Sequence, residues 1–540
     1  MPILFEIYED GRPVTAFDPA AAGAIVVGPE SVPTPGRVTF ENNLLVVEGD
    51  GEAAGVMLEW DAGDAGRYTL ETCRLPEREE PYLLSVELLR HRLMKVLQKQ
   101  EDWALFDLDG DREHIGQRLT AIKAKFAEAL GMLPTPAKAS EFARQALPEA
   151  LKVSEDLACL HADILLGKRK TMGALPKNLM GIGAVASVRN EKYRQTLAEK
   201  ADYGRIDLGW KQLARDEGEL DFEELDEAVA DLLKRRLPVI VGPLVDLSYG
   251  NVPDWLVFYE NDFDAIAQQA LDFCRKVFAR YKGKVAGWEV VGHMAGPGPL
   301  GLDFEQAVEL TRVLCGYAKK SSGGGRTLVQ VREGFGGYLG RHAATGADDE
   351  FDAMDDAGGG GGEGRGGVPP MLFAEMISQS GIACDAFSVE VLVGPRGDND
   401  VAGGAVETRD LFQLSNLLDR FAPLAKPVYI TATGCPGTAT AGGGRWRREW
   451  DADLQAEWLE GFYRLALSKP YVESVTWQEL ADEHARVPDG GLVDDLLKPK
   501  PALLRMQELR KEMRRARAEG PRGTGKRAAV KVPASPTKAG

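Results

Sequence analysis

Pro238-Val-Ile-Val-Gly-Pro-Leu-Val245, Phe263-Asp-Ala-Ile-Ala-Gln-Gln-Ala-Leu-Asp-Phe-Cys-Arg-Lys-Val-Phe-Ala-Arg-Tyr281 and Ala286-Gly-Trp-Glu-Val-Val291 form an apolar run, an amphipathic run and a second apolar run. In the middle segment, Phe263, Ile266, Ala270, Phe273, Cys274, Val277, Phe278 and Tyr281 recur at spacings of three and four, which places one apolar stripe of a helix against a sheet. The flanking runs read as strands, so the stretch is a strand-helix-strand unit.

Outward from this unit the alternation repeats. Candidate strands lie at 180–186, 203–208, 238–245, 286–291, 326–331, 386–392, 428–432 and 472–477, with helical periods between them. Eight units in roughly 330 residues predict a (β/α)8 TIM barrel over residues 171–512. A doubly wound open sheet shares the alternation, but it would carry a Gly-rich phosphate turn after an early strand, and none is present.

Upstream the pattern differs. Residues 1–76 hold short runs (Leu4–Tyr8, Ala24–Val27, Val38–Val47, Val56–Trp60, Tyr68–Cys73) separated by Asp-Gly, Pro-Gly, Asn-Asn and Gly-Asp-Gly turn signals. They predict a small all-β sandwich, which either binds sugar or, as the commoner role, packs on its neighbour. Residues 77–170 turn helical, with Leu83, Val86, Leu89, Leu93 and Val96 on one face and Ile115, Leu119, Ile122, Phe126 and Leu130 on another, and read as a helical connector. Residues 343–370, with five consecutive glycines, read as a disordered insertion after the fifth strand, and 513–540 as a disordered basic tail.

The net charge of −18 is unevenly spread, because residues 511–540 hold nine Lys/Arg and two Asp/Glu, a net +7 that leaves −25 for residues 1–510. An acidic body repels nucleic acid and anionic membranes and suits neutral ligands. The tail alone could touch nucleic acid weakly, although a solvated tail is the better reading. Six scattered cysteines (73, 159, 274, 315, 384, 435) read as free thiols. The opening Met1-Pro-Ile-Leu-Phe lacks a basic region followed by a long apolar run. Together these give the expectation of a cytoplasmic protein without membrane, metal or cofactor.

Several strand ends resemble glycoside hydrolase family 10, the endo-1,4-β-xylanases. Glu473-Ser-Val-Thr-Trp-Gln-Glu-Leu-Ala-Asp482 and Gly490-Gly-Leu-Val-Asp-Asp-Leu-Leu-Lys-Pro-Lys-Pro-Ala502 resemble the family's last strand and final helix start. Gly218-Glu-Leu-Asp-Phe222, Pro238 to Asp246 and Pro253-Asp-Trp255 resemble its third unit. Trp288-Glu-Val-Val-Gly-His293 overlays the acid-base motif Trp-Asp-Val-Val-Asn-Glu, and Tyr429-Ile-Thr-Ala432 overlays the nucleophile strand. The resemblance implies a β-1,4-glycan or oligosaccharide ligand and a cleft walled by Trp255, Trp288, His293 and Trp477.

Both usual glutamates are missing, since His293 and Ala432 stand in their places. Retaining hydrolysis needs two carboxyl groups roughly 5 to 5.5 Å apart. Glu390, Asp246 and Glu333, each at a strand end on the presumed active face, are the candidate substitutes. Glu390 fits three roles: catalysis, acceptance of a sugar hydroxyl, or a structural pair with Arg396. The sequence therefore supports a hydrolase with displaced carboxylates; the alternative is a pseudoenzyme that binds sugars or acts as a scaffold. Trp446 and Trp450 fit either a cleft wall or helix packing.

Overall fold

Eight short segments rich in β-branched residues form a closed parallel barrel in the computed structural model, which describes residues 2–49, 51, 53–105, 112–340, 367–395 and 407–520. We number its strands β1 (Met180–Ala184), β2 (Tyr203–Ile206), β3 (Val239–Val241), β4 (Gly287–Gly292), β5 (Arg326–Val331), β6 (Ala386–Leu392), β7 (Val428–Gly434) and β8 (Val472–Trp477). Each pairs in parallel with the next, β8 returns to β1, and a two-residue strand at Val245–Asp246 lengthens the β3 edge against β4. All eight expected strands are present within a few residues of the expected bounds.

Helices form where the apolar stripes recur. The connector folds as α1 (Leu84–Asp102), α2 (Arg112–Gly131) and α3 (Pro136–Thr171), and the barrel is sheathed by α4 (Glu191–Lys200), α5 (Glu223–Lys234), α6 (Phe263–Tyr281), α7 (Phe304–Ser321), α8 (Pro370–Gln379), α9 (Leu411–Asp419), α10 (Ala452–Ser468) and α11 (Pro501–Glu519). On α6, the stripe from Ile266 to Tyr281 is buried as its spacing requires. Aspartates at 262, 303, 410 and 451 accept main-chain N–H bonds in the first turns of α6, α7, α9 and α10.

The N-terminal region holds two mostly antiparallel sheets and a two-stranded ladder of Tyr8–Glu9 with Arg12–Pro13. The run Val38–Val47 is not one strand but a hairpin of Gly36–Glu41 and Leu44–Gly49, because Asn42 and Asn43 both take positive φ and reverse the chain. The second sheet borrows Arg445–Trp446 from the loop after β7, paired antiparallel with Gly66–Arg67. Trp446 Nε1 donates to Glu155 Oε1 of α3 at 2.6 Å, and Trp446 and Trp450 are buried, so both pack rather than wall a cleft. The connector is fastened below the barrel by Arg169, whose guanidinium donates to the carbonyls of Leu467, Lys469 and Val472 at 2.8, 2.8 and 2.9 Å.

Other expectations need adjustment. α11 runs through Glu519, seven residues past the boundary at 512, because its apolar positions Leu503, Met506, Leu509 and Met513 are buried. Arg396 and residues 341–366 lie outside the described residues, and α8 begins at Pro370. Among the described residues no helix is long and apolar enough to cross a membrane, and no group of three His, Cys, Asp or Glu could hold a metal ion. The six cysteines are free thiols.

Candidate functional site

Charged side chains occupy the barrel interior in layers. In the lower layer Glu289 of β4, fully buried, accepts from Arg205 Nε of β2 at 2.7 Å, Thr431 Oγ1 of β7 at 2.6 Å and Gln330 Nε2 of β5 at 3.3 Å. Arg205 also donates to Asp207 Oδ2 at 3.0 Å and to the Gly242 carbonyl at 3.0 Å. Gly242 has φ 129°, and a Cβ there would lie 2.3 Å from the Glu289 carbonyl, so only glycine lets β3 approach β4 this closely.

Above this layer, at the carboxyl ends of the strands, the three candidate carboxylates are not a free pair. Arg332, immediately after β5, stands between Asp246 and Glu390: Nη1 lies 3.2 Å from Asp246 Oδ2 and Nε lies 4.0 Å from Glu390 Oε2. Arg486 binds Glu390 through both oxygens, at 2.6 and 3.0 Å. Asp246 Oδ1 accepts from the Ser248 amide at 2.9 Å and the Ser248 hydroxyl at 2.6 Å. Burial alone would raise the Asp246 pKa, but the Arg332 charge and the Ser248 donors outweigh it and hold this carboxyl below its ordinary range. Alternation left the facing of Glu390 open; it points inward, in register with the buried Ala432 of β7. Glu333 opens onto a separate recess with Glu390, Glu407, Arg409 and Phe335.

His293 stands at φ 54° and Glu333 at φ 47°, two non-glycine residues in the left-handed region just beyond β4 and β5. His293 Nε2 meets the Pro297 carbonyl at 3.1 Å. Burial and Arg332 keep its ring neutral against the pull of Asp246, with the pKa lowered. Gly292 has little room for a side chain: a Cβ there would lie 2.7 Å from Gln330 Oε1 and 2.9 Å from Pro243 Cβ.

The expected aromatic cleft is corrected. Trp288 is fully buried and points into the helical layer, its ring edge-on to Phe278 of α6 at 5.1 Å. Trp477 is fully buried as well, donating from Nε1 to the Gly490 carbonyl at 2.7 Å and packing on Trp458 of α10. Neither can offer a face to a sugar. Trp255 is half-buried against Trp210, its Nε1 bonded to the Ala214 carbonyl. The exposed aromatics lie elsewhere on the loop after β3, with Tyr249 65% and Phe258 93% exposed.

The mouth opens into a cavity of about 310 Å³ whose polar lining includes Asp207, Gln212, Asn251, Arg332, Glu479 and Arg486. Sequence reading missed Asp207, Arg332, Glu479 and Arg486. Glu479, two residues past β8, is 9% exposed, and its Oε2 has no hydrogen-bond partner. Burial, then the nearby Asp207 charge, pushes its pKa up to about 8, so this carboxyl is neutral at pH 7. Arg332 Nε and Nη1 likewise make no hydrogen bond, the contact with Asp246 being an ion pair of poor angle.

Two expected outcomes follow. Replacing Arg332 by Met leaves the buried Asp246 without its cation, while Glu390 keeps Arg486, and costs about 3 kcal/mol of stability, read by urea unfolding at pH 7. Because Glu479 holds its proton to a higher pH when folded than when unfolded, its contribution to stability falls as pH rises from the ordinary carboxyl range towards 8. Glu479→Gln therefore gains on wild type by up to about 1.4 kcal/mol per pH unit across that window and matches it at the acid end. Unfolding at pH 5 and pH 8 checks this.

No protein-family model and no curated protein sequence matches the chain. Among solved structures, the chain is similar to xylanase 10B from Thermotoga maritima, at 14% identity over 65% of this chain and 98% of that one, with a TM-score of 0.45. A GH10 endoxylanase from a sugarcane soil metagenome gives 14% identity over 63% and 99%, with a TM-score of 0.44. A GH10 structure from Paenibacillus barcinonensis gives 16% identity over 64% and 97%, with a TM-score of 0.43.

Proposed function

We propose that this chain is a carbohydrate-binding barrel that does not hydrolyse its ligand. The observation that carries the reading is the position of Arg332, whose guanidinium lies between Asp246 and Glu390. A retaining hydrolase leaves the space between its carboxylates open for the anomeric carbon. Here a cation fills it, and Arg486 takes the remaining face of Glu390. A carboxylate clamped in this way is a poor nucleophile and a poorer acid.

Binding is supported by the cavity itself. Its polar lining offers donors and acceptors from Asp207, Gln212, Asn251 and Arg332 towards a polyhydroxyl ligand. Phe258 does not line the cavity, but it is exposed on the loop that also supplies Asn251, and we take it as the aromatic face on which a pyranose ring would stack in place of the buried Trp288 and Trp477.

A second reading has its own observation. Glu479 is a neutral carboxyl on the cavity wall beside the Asp207 carboxylate, and a proton held to about pH 8 is what a general acid needs. On that reading the barrel hydrolyses β-1,4-linked oligosaccharides through Glu479 and Asp207.

Calorimetric titration and reducing-end release, run on β-1,4-linked xylo-, manno- and gluco-oligosaccharides, separate the readings. The binding reading predicts heat of binding without release, and about a three- to tenfold weaker affinity in Phe258→Ala. Release abolished by Glu479→Gln or Asp207→Asn would establish the second reading. Release abolished by Asp246→Asn or Glu390→Gln would restore the pair first expected from the sequence.

A further inference from the structure

A second cavity, of about 350 Å³, lies between the N-terminal sheets, α1 and α9. Its walls have two characters. Met57 and Leu70 from the sheets, Leu88 from α1, and Phe412 and Leu417 from α9 supply an apolar floor. Around it stand His91, Arg92, Lys95 and Lys99 from α1, with Arg409 and Arg420 at the two ends of α9.

Most of these cations are already neutralised. Arg92 pairs with Asp410 at 2.6 Å, Lys99 with Asp419 at 3.1 Å and Arg409 with Glu407 at 2.6 Å. Two are not: among the described residues, neither Lys95 nor Arg420 has a carboxylate within 4.0 Å. Arg420 is half-buried, and burial lowers its pKa despite the more distant Glu30, Glu375 and Glu71. A guanidinium withdrawn from water without a partner costs free energy that an incoming anion would recover.

The acidic residues of the cavity do not fill this role. Glu71 lies 3.4 Å from His91, a ring that burial keeps neutral by pushing its pKa to about 4, and among the described residues this carboxylate is not within 4.0 Å of Lys95 or Arg420. Glu30 is exposed at the rim.

We propose that this cavity is a binding site for a small amphipathic organic anion. The carboxylate or phosphate group sits between Lys95 and Arg420, and the apolar body lies on Met57, Leu70, Leu88, Phe412 and Leu417. Because its walls come from the sheets, the connector and the barrel together, a bound anion joins all three. The site is separate from the barrel mouth, and the proposal does not depend on what the mouth binds.

The test is calorimetric titration of the full chain with octanoate, phenyl phosphate, inorganic phosphate and, as the uncharged control, octanol. Octanoate or phenyl phosphate is expected to bind, with inorganic phosphate and octanol each at least about tenfold weaker, since each lacks one half of the recognition. Binding by octanoate but not phenyl phosphate assigns a carboxylate ligand; the reverse assigns a phosphate ester. Lys95→Gln and Arg420→Gln should each weaken binding about tenfold or more. Lys95 is partly exposed on α1, so its variant keeps the test sound should Arg420→Gln fail to fold. Three results would overturn the proposal: no binding at millimolar concentration, octanol binding as tightly as octanoate, or affinity unchanged in Lys95→Gln.

Discussion

Charges sunk into a closed barrel must be neutralised where they stand, and in this chain arginines do it. Arg205 answers Glu289 and Asp207 in the lower layer, and Arg332 and Arg486 answer Asp246 and Glu390 at the mouth. In a site screened from water an unpaired carboxylate would cost several kcal/mol, so a buried acid there either takes a cation or, like Glu479, keeps its proton. The cation in turn removes the freedom a catalytic carboxylate requires. The pairing that makes the mouth stable is thus also what argues against hydrolysis there.

Two local constraints reinforce this. A Cβ at Gly292 would lie 2.7 Å from Gln330 Oε1 and 2.9 Å from Pro243 Cβ, so a larger residue there requires one of these neighbours to shift. Ala432 is fully buried in register with Glu390, so a second carboxylate there would meet one already held by two arginines.

The fold was legible because it is written in long periods. The stripe on α6 and the eight apolar runs each follow from burial alone, and strand positions came out within a few residues. The site was less legible, for physical reasons. Trp288 and Trp477 lie on strands buried on both faces, where the sequence does not say which side meets the sheath and which the lumen. Glu289 shows that the inward set on β4 excludes its neighbour Trp288. Arg332 and Glu479 stand in loops just past strand ends, and Arg486 lies farther along the segment after β8, with no spacing rule to mark them. Only closure of the barrel brings 246, 332, 390 and 486 together. The Asn42-Asn43 turn, by contrast, was visible as a signal but lay inside a run of apolar residues that read as one strand.

The most direct test of the central claim asks whether any mouth carboxylate can act as a nucleophile. The protein would be incubated with an activated 2-deoxy-2-fluoro β-xylobioside, a reagent that traps the glycosyl-enzyme of a retaining hydrolase, and its intact mass recorded. With Asp246 and Glu390 held by Arg332 and Arg486, the mass should stay unchanged. A stoichiometric glycosyl adduct mapped to any carboxylate at the strand ends would contradict the account.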